Sequence, residues 1–286
     1  MKGPINYIGG KSLLAKTIVA RLPPHMTYVE PFAGGAKVFF HKPRSKIEVL
    51  NDLDGELVNF YRVCQSHNGE LVRYLRCMIV SREWFELLEN TSPETLTDIQ
   101  RAARYLYLQK NAYGGRVTRK AYAIHVIGNP NFNPERLEEI LKETHERLAR
   151  VQVEHLPYEQ ILKLYDRPET FFYLDPPYYN IRLYRHNLEH EDFEKMAARL
   201  KALKGKFLLS INDHSEVRQI FADFEIKKVP ITYSIHGGKR KQIEELLISN
   251  YSQTDAQKEK PNRIDPAGAK TQQTIVGRLV QGTRGH

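Results

Sequence analysis

The tetrapeptide Asp175-Pro176-Pro177-Tyr178 combines residue types that could hold a flat ring bearing an amine. The carboxylate of Asp175 can accept one hydrogen bond from such an amine, and the backbone carbonyl of Pro176 can accept a second. Because proline fixes φ, that carbonyl is held in one direction. Tyr178 offers an aromatic face on which the ring could stack. Two acceptors on one amine would turn its lone pair towards an incoming group, so the tetrapeptide suits group transfer to an exocyclic amine.

The tetrapeptide directly follows a short apolar segment, 171–174, that is typical of a buried strand. Similar segments predict strands at 28–30, 47–50 and 207–211, and a further pair near 224–228 and 245–248. Helical patterns lie between them, at 12–21, 55–66 and 192–203. This alternation predicts an α/β fold with a mostly parallel sheet covered by helices on both faces. Ligands of such sheets bind outside the carboxyl ends of the strands.

The stretch 69–150 differs, because helical periodicity dominates it and a glycine-rich segment at 111–133 interrupts it. We therefore predict a catalytic domain formed by 1–68 and 151–251, with an inserted, mainly helical subdomain at 69–150. The remaining residues, 252–286, are polar and basic and are predicted to form a flexible tail.

The bulk composition narrows the classes of protein. The chain has 286 residues, a formal net charge of +9 and only two cysteines, Cys64 and Cys77. The positive charge favours a polyanionic partner, with nucleic acid as the first candidate. No apolar run approaches the roughly 20 residues of a membrane span, no secretory signal is visible, and the cysteines do not form a disulfide framework. We expect a cytoplasmic protein.

Two other strand ends carry residues that suit a nucleotide-like ligand. Gly34 and Gly35 follow the strand at 28–30, so the backbone could approach a ligand closely there. Asp52 follows the strand at 47–50, where a carboxylate commonly accepts hydrogen bonds from ribose hydroxyls; capping the next helix is the alternative. Phe32 could pack against the ligand or simply fill the core. The glycines do not complete the dinucleotide fingerprint, which argues against NAD.

Five blocks in this order resemble the Dam-like DNA adenine methyltransferases, and the resemblance covers residues 5–251. The blocks are Asn6-Tyr7-Ile8-Gly9-Gly10-Lys11, Tyr28-Val29-Glu30-Pro31-Phe32-Ala33-Gly34-Gly35, Asn51-Asp52, Asp175-Pro176-Pro177-Tyr178, and the closing run from Gly237-Gly238-Lys239-Arg240-Lys241 to Leu246-Leu247-Ile248-Ser249-Asn250-Tyr251.

The resemblance implies a Rossmann-like S-adenosylmethionine-dependent methyltransferase fold and a target-recognition role for the helical insertion. It implies S-adenosylmethionine as cofactor, no metal, and base flipping followed by direct in-line displacement. The implied catalytic residues are Asp175, Pro176, Pro177 and Tyr178. The implied cofactor-binding residues are Tyr7, Lys11, Glu30, Phe32, Gly34, Asp52 and Asp175, with Lys11 beside the carboxylate of the cofactor's methionine part.

The implied partner is duplex DNA; a restriction endonuclease that acts on the same site, a phage-encoded enzyme and an enzyme that marks DNA alone stay open as alternatives. The segment 109–116 resembles the start of the family's DNA-contacting loop, and basic residues elsewhere suit phosphates. The predicted DNA-binding residues are Asn111, Tyr113, Arg116, Arg119, Lys120, Lys239, Arg240 and Lys241, and Arg182 and Arg185 are further phosphate candidates. We expect a monomer or weak dimer in a prokaryotic or phage-infected cell.

Other enzyme activities and a metal site fit the sequence less well. Cytosine ring-carbon methylation is excluded because neither cysteine follows a strand in a Pro-Cys pair. His186 and His190 have metal-ligand spacing, but the sequence offers no convincing third ligand. Three alternatives stay open: an RNA adenine methyltransferase, a protein-amide methyltransferase and a catalytically inactive DNA-binding relative. An amide methyltransferase usually has asparagine at the position of Asp175.

Overall fold

The computed structural model describes residues 3–5, 11, 13–112, 122–123, 130–182, 185–234 and 240–254, with the backbone alone at 231–234 and 240–243. Its strands form one seven-stranded sheet in the order β3-β2-β1-β4-β5-β7-β6. The strands are β1 (Thr27–Glu30), β2 (Ile47–Asn51), β3 (Val151–Glu154), β4 (Thr170–Leu174), β5 (Lys206–Asn212), β6 (Glu225–Ser234) and β7 (Arg240–Ser249).

The sheet is parallel from β3 to β5, and β7 then lies antiparallel between β5 and β6. The predicted α/β class is therefore confirmed. The four predicted parallel strands, β1, β2, β4 and β5, each lie within a residue or two of their expected bounds. The last two strands are longer than predicted, since each extends over ten residues of a long antiparallel pair.

Strand β3 and the helices Tyr158–Tyr165 and Ser215–Ile220 were not predicted. β3 has only two apolar residues in four, Val151 and Val153, and it is the edge strand of the described sheet. Its apolar pattern in the sequence is therefore weak. It forms the edge of the sheet beside β2. The helix that follows, Tyr158–Tyr165, packs Ile161 and Leu162 into the core.

The core has two layers because successive strand residues point to opposite faces of the sheet. Tyr28, Phe171 and Tyr173 belong to one apolar cluster, whereas Val29 and Phe172 belong to the other. Helices on the first face are α1 (Ala15–Val19), α2 (Lys37–His41), α3 (Gly55–Ser66), α4 (Asn68–Arg76), α5 (Arg82–Asn90), α6 (Asp98–Asn111) and α7 (Pro134–Leu148); those on the second are α8 (Tyr158–Tyr165), α9 (His190–Lys201) and α10 (Ser215–Ile220).

The helices of the predicted insertion pack directly on the sheet domain. α3 packs against α6 and α7, and one apolar cluster continues from the strands into these helices. A buried ion pair joins Arg147 of α7 to Glu48 of β2, with 2.5 Å between Nη1 and Oε2. Glu48 also accepts from Lys42, so two cations neutralise and fix it. The helical segment is thus held against the catalytic sheet, and its assignment as a separate recognition subdomain stays a prediction.

Candidate active site

A cavity of about 320 Å³ opens at the carboxyl ends of the central strands. Residues that follow β1, β2, β3 and β4 line it, which is the position expected for the ligand of a parallel sheet. The lining includes Lys11, Glu30, Phe32, Gly34, Asp52, Tyr158, Asp175 and Pro177. Of the predicted cofactor-binding residues, only Tyr7 lies outside the described residues.

The turn after β1 brings backbone into the cavity wall. Gly34 and Ala36 both have φ of 46°, in the left-handed region, and Ala36 is the N-cap of α2. Glycine adopts this conformation without strain, but a residue with a Cβ costs roughly 1–3 kcal/mol there. The hydroxyl of Tyr61 donates to the Gly34 carbonyl at 2.7 Å, which holds the turn in place.

Asp52 accepts two backbone hydrogen bonds across the cavity wall. Its Oδ2 accepts from Gly34 N and its Oδ1 from Asp54 N, each at 2.9 Å. Burial raises the pKa of Asp52 to about 6, although both donors act to lower it. The N-cap of α3 is Asp54 rather than Asp52, since Asp54 accepts from Glu56 N at 3.0 Å. A carboxylate has about four acceptor sites, so Asp52 keeps capacity for hydroxyl donors.

Asn51 is a site residue that sequence reasoning did not single out. Its Nδ2 donates to the carbonyls of Pro31 (2.8 Å) and Leu156 (2.9 Å), while its Oδ1 accepts from Leu156 N at 2.9 Å. The side chain therefore ties the segments after β1 and β3 together. The available signal was a polar amide directly after a buried strand.

Aromatic and apolar side chains form the second wall of the cavity. The rings of Phe32 and Tyr158 lie 5.2 Å apart, and Leu156 and Pro157 continue the wall. Phe32 packs against the core cluster as well as lining the cavity. Both interpretations of Phe32 are thus compatible with its position.

Asp175 also lines the cavity and directly follows β4. Its Oδ1 pairs with Lys11 Nζ at 3.0 Å and accepts from Ser210 Oγ at 3.3 Å. The hydroxyls of Ser210 and Tyr173 are 2.8 Å apart, which fixes Ser210 in turn. Among the described residues, Asp175 Oδ2 has no donor. Burial raises the pKa of Asp175 to about 6, against the lowering effect of Lys11.

Lys11 is buried among acidic and phenolic groups. Its Nζ donates to the Tyr178 hydroxyl at 2.8 Å and forms ion pairs with Asp175 and with Glu245 of β7. Burial acts to lower the pKa of Lys11, but the Asp175 and Glu245 carboxylates outweigh it and raise the pKa above its usual value. The described contacts of Lys11 are thus with Asp175, Tyr178 and Glu245, and its predicted contact with the methionine carboxylate stays a prediction.

Tyr178 is held by its hydroxyl as well as by its ring. The hydroxyl donates to Glu245 Oε2 at 3.4 Å, and Lys11 Nζ lies 4.4 Å from the ring centroid. Glu245 was not predicted as a site residue. The signal in the sequence was an acidic residue at a buried position of an apolar strand.

Glu30 lines the cavity, but its described hydrogen bonds are with residues of the core, not with groups that face the cavity. Its Oε1 accepts from the Tyr28 hydroxyl at 2.5 Å and from Phe39 N at 2.8 Å. Burial raises the pKa of Glu30 to about 8, so the carboxyl is largely protonated at neutral pH. This arrangement favours a structural role over a charged contact with a cofactor.

The segment after Tyr178 covers part of the same cavity. Arg185 pairs with Asp54 through Nη1 and Oδ1 at 3.2 Å, and His186 and Leu188 line the cavity beside it. Arg182 is exposed and pairs with Glu189 at 2.9 Å. Of these two predicted phosphate contacts, Arg185 is engaged at the cavity.

The predicted DNA contacts are only partly described. Asn111 is buried at the end of α6, and its Nδ2 donates to the Tyr107 carbonyl at 3.0 Å. Its described role is thus within the fold. Arg240 and Lys241 lie at the start of β7, and only the backbone of these two residues is described. Tyr113, Arg116, Arg119, Lys120 and Lys239 lie outside the described residues.

The described residues contain no group of three or more His, Cys, Asp or Glu side chains that could hold a metal ion. Within the same ranges, no helix is long and apolar enough to cross a membrane.

The strand order and a cavity at the carboxyl strand ends define a Rossmann-like α/β enzyme. The model of the D12 class N6 adenine-specific DNA methyltransferases matches residues 7–235. The chain therefore belongs to this family and is an adenine-specific DNA methyltransferase.

Relatives of similar length support this conclusion. The type II methyltransferase M.CviBI of Paramecium bursaria Chlorella virus NC1A is 24% identical over 88% of this chain and 100% of its own length. The type II methyltransferase M1.LlaDCHI of Lactococcus lactis subsp. cremoris is 27% identical over 86% and 94%. The DNA adenine methylase of Salmonella typhimurium is 25% identical over 85% and 93%. An rRNA methylase structure from Streptococcus thermophilus has 11% identity, a TM-score of 0.34, and covers 86% of this chain and 100% of that chain, so no conclusion rests on it.

Family membership implies S-adenosylmethionine as the methyl donor and DNA as the substrate, and the cavity residues fit such a cofactor. The acceptor capacity of Asp52 suits ribose hydroxyls, the wall of Phe32, Leu156 and Tyr158 suits a purine ring, and the left-handed turn at Gly34 lets backbone approach a ligand. Asp175 lines the same cavity, directly after β4.

Proposed function

We propose that the protein methylates the exocyclic N6 amine of an adenine that has been rotated out of a short duplex DNA motif, by direct in-line displacement. The observation that carries the proposal is the asymmetry of the Asp175 carboxylate. Oδ1 is held by Lys11 and Ser210, while Oδ2 has no donor among the described residues and Asp175 borders the cavity. One oxygen thus fixes the side chain and the other is available to an amine.

The adenine amine is a poor nucleophile because its lone pair is conjugated with the ring. Asp175 Oδ2 and the Pro176 carbonyl would accept the two amine hydrogens and aim the lone pair at the methyl group. Tyr178 would stack on the flipped base, and its tethered hydroxyl limits rotation of the ring. Base-modifying enzymes reach a duplex base in this way.

S-adenosylmethionine, when bound, supplies an electrophilic methyl on a sulfonium. The N6–carbon bond would form as the carbon–sulfur bond breaks, S-adenosylhomocysteine would leave, and the surplus amine proton would pass to solvent. Asp175 provides negative charge beside the nitrogen, which becomes positive during transfer. Positioning and fixed charge are the two effects that the site offers.

The basic residues predicted to contact DNA complete the proposal. We assign phosphate contacts to Lys239, Arg240 and Lys241, and target contacts to Tyr113, Arg116, Arg119 and Lys120. The net charge of +9 supports this assignment, and the likeness to two type II methyltransferases supports a restriction endonuclease as a partner that cuts the same motif.

The test is transfer of labelled methyl from S-adenosylmethionine to unmethylated duplex DNA, with the product nucleoside identified and the modified positions sequenced. We expect N6-methyladenine in one short motif. Asp175→Ala should abolish transfer, whereas Asp223→Ala, at an exposed ion pair with Lys201, should leave it intact. Transfer to RNA or protein but not to DNA would overturn the proposal, as would full turnover by Asp175→Ala.

A further inference from the structure

We propose that Glu245 is a positioning residue for methyl transfer: it holds the Lys11 ammonium at the point from which Lys11 orients Asp175. The inference rests on the proposed function, because it concerns the same reaction. Glu245 lies on β7, far in sequence from both Lys11 and the Asp-Pro-Pro-Tyr tetrapeptide. Its described side-chain contacts with predicted site residues are those with Lys11 and Tyr178.

One hydrogen bond and two ion pairs give Lys11 one defined position. An ammonium has three donors, and Lys11 has three partners: Asp175 Oδ1 at 3.0 Å, the Tyr178 hydroxyl at 2.8 Å, and Glu245 Oε1 in an ion pair. Tyr178 in turn donates to Glu245 Oε2, which closes a ring of three side chains. Removing any member would free Lys11 to adopt other rotamers.

Charge explains why the arrangement needs a second acid. Lys11 and Glu245 side chains are only 2% and 3% exposed, whereas the Asp175 side chain is 24% exposed. A buried ammonium is tolerated only when it is paired and hydrogen-bonded. With Asp175 as the sole counter-ion, Lys11 would neutralise the carboxylate that must face a developing positive charge. Glu245 supplies a second negative charge, so Asp175, Lys11 and Glu245 together carry a net charge of −1.

The sheet topology places Glu245 at this edge. β7 runs antiparallel to β5, and Glu245 is opposite Asn212, the last residue of β5. An antiparallel strand thereby brings a residue from its middle to the carboxyl ends of β4 and β5. Its neighbour Glu244 points the other way, is exposed, and pairs with Lys228 at 2.9 Å. Glu244 is therefore a matched control on the same strand.

A role in catalysis and a merely structural role differ in their effect on the titration of Asp175. The Glu245 charge acts to raise the pKa of Asp175, and the Lys11 charge acts to lower it. Removing the Glu245 charge should therefore move the acid limb of the activity profile to lower pH. The titratable groups that face Asp175 are Lys11, Glu245, Glu30, Tyr173 and Tyr178.

The experiment measures kcat, KM for S-adenosylmethionine and the pH profile of kcat/KM for the full chain and four variants: Glu245→Gln, Glu244→Gln, Lys11→Met and Lys11→Met/Glu245→Gln. We expect Glu245→Gln to lower kcat by about 100-fold, as misplacement by about 1 Å can do, with KM for the cofactor little changed and the acid limb displaced downwards. Glu244→Gln should match the parent protein. Because Glu245 acts through Lys11, its substitution should have little further effect in the Lys11→Met background.

Glu245→Asp keeps the charge but shortens the side chain by one methylene, and it tests the same idea if Glu245→Gln does not fold. It should lose rate without displacing the acid limb. The inference is overturned if Glu245→Gln transfers methyl like Glu244→Gln, if its acid limb stays in place, or if its effect is undiminished in the Lys11→Met background. Failure of the proposed function is a separate result, because the parent protein itself would then transfer no methyl to adenine in DNA.

Discussion

The side-chain amide of Asn51 forms a closed pair of hydrogen bonds with the backbone of Leu156: Nδ2 donates to its carbonyl and Oδ1 accepts from its N–H, both at 2.9 Å. The same amide group also donates to the carbonyl of Pro31. One buried side chain thus sets the separation of two loops that line the cofactor cavity, the loop after β1 and the loop after β3.

Replacing this amide should damage both stability and cofactor binding. We expect Asn51→Ala to lower the free energy of unfolding by about 3 kcal/mol, because it leaves buried backbone groups without partners. The affinity for S-adenosylmethionine should fall by roughly 10-fold as the walls lose their register. Urea denaturation and calorimetric titration measure the two effects. Asn59→Ala, which removes one exposed hydrogen bond to Asp98, should change neither by a comparable amount.

Asp52 should make cofactor binding dependent on pH. Burial raises its pKa to about 6, so lowering the pH through 6 protonates an acceptor that ribose hydroxyls need. Affinity for S-adenosylmethionine should therefore be highest above pH 7 and fall below 6. Asp52→Asn should weaken binding by roughly 10- to 100-fold, the usual range for hydrogen bonds to a charged group. It should also flatten the pH dependence, and an unchanged slope in this variant would assign the titration to another group.

The comparison of sequence with structure separates local from non-local information. Asp175 and Asp52 were identified because each directly follows a buried strand, and a parallel sheet brings such positions to one edge. Helix α3 was predicted at its observed bounds because an aspartate N-cap and apolar periodicity coincide there. These signals lie within a few residues of each other.

Glu245 and Ser210 could not be identified in the same way. The contact of Glu245 with the site depends on β7 lying antiparallel between β5 and β6, and that of Ser210 on the pairing of β5 with β4; no local pattern specifies either pairing. Likewise, the partners of Lys11 are set by tertiary packing, so sequence reasoning assigned it to the cofactor rather than to the acids. β3 was missed because four residues with two exposed or half-exposed polar positions carry little strand signal.

Arg185 should slow the release of the cofactor. It pairs with Asp54, and both residues line the cavity together with His186 and Leu188. Because the guanidinium is partly exposed, the ion pair should contribute no more than about 1 kcal/mol to folding. Arg185→Gln should therefore increase the dissociation rate of S-adenosylmethionine several-fold, as followed by stopped-flow fluorescence, without altering the denaturation midpoint. Arg182→Gln removes a similar but exposed pair with Glu189 and should leave the dissociation rate unchanged.

Glu30 should make the protein less stable in mild alkali. Burial raises its pKa to about 8, whereas an exposed glutamate in the unfolded chain has its ordinary pKa of about 4.5. Between these values the native state binds a proton that the unfolded state has lost, so the free energy of unfolding falls as pH rises from 4.5 to 8.

Glu30→Gln keeps an acceptor for the Tyr28 hydroxyl and Phe39 N but cannot ionise. Its stability at pH 8 should exceed that of the parent protein, and its dependence on pH should be shallower in urea titrations at pH 5, 6.5 and 8. Glu86→Gln, at an exposed position of α5, should reproduce the parent slope, and equal slopes for the parent and Glu30→Gln would show that Glu30 is ionised in the native state.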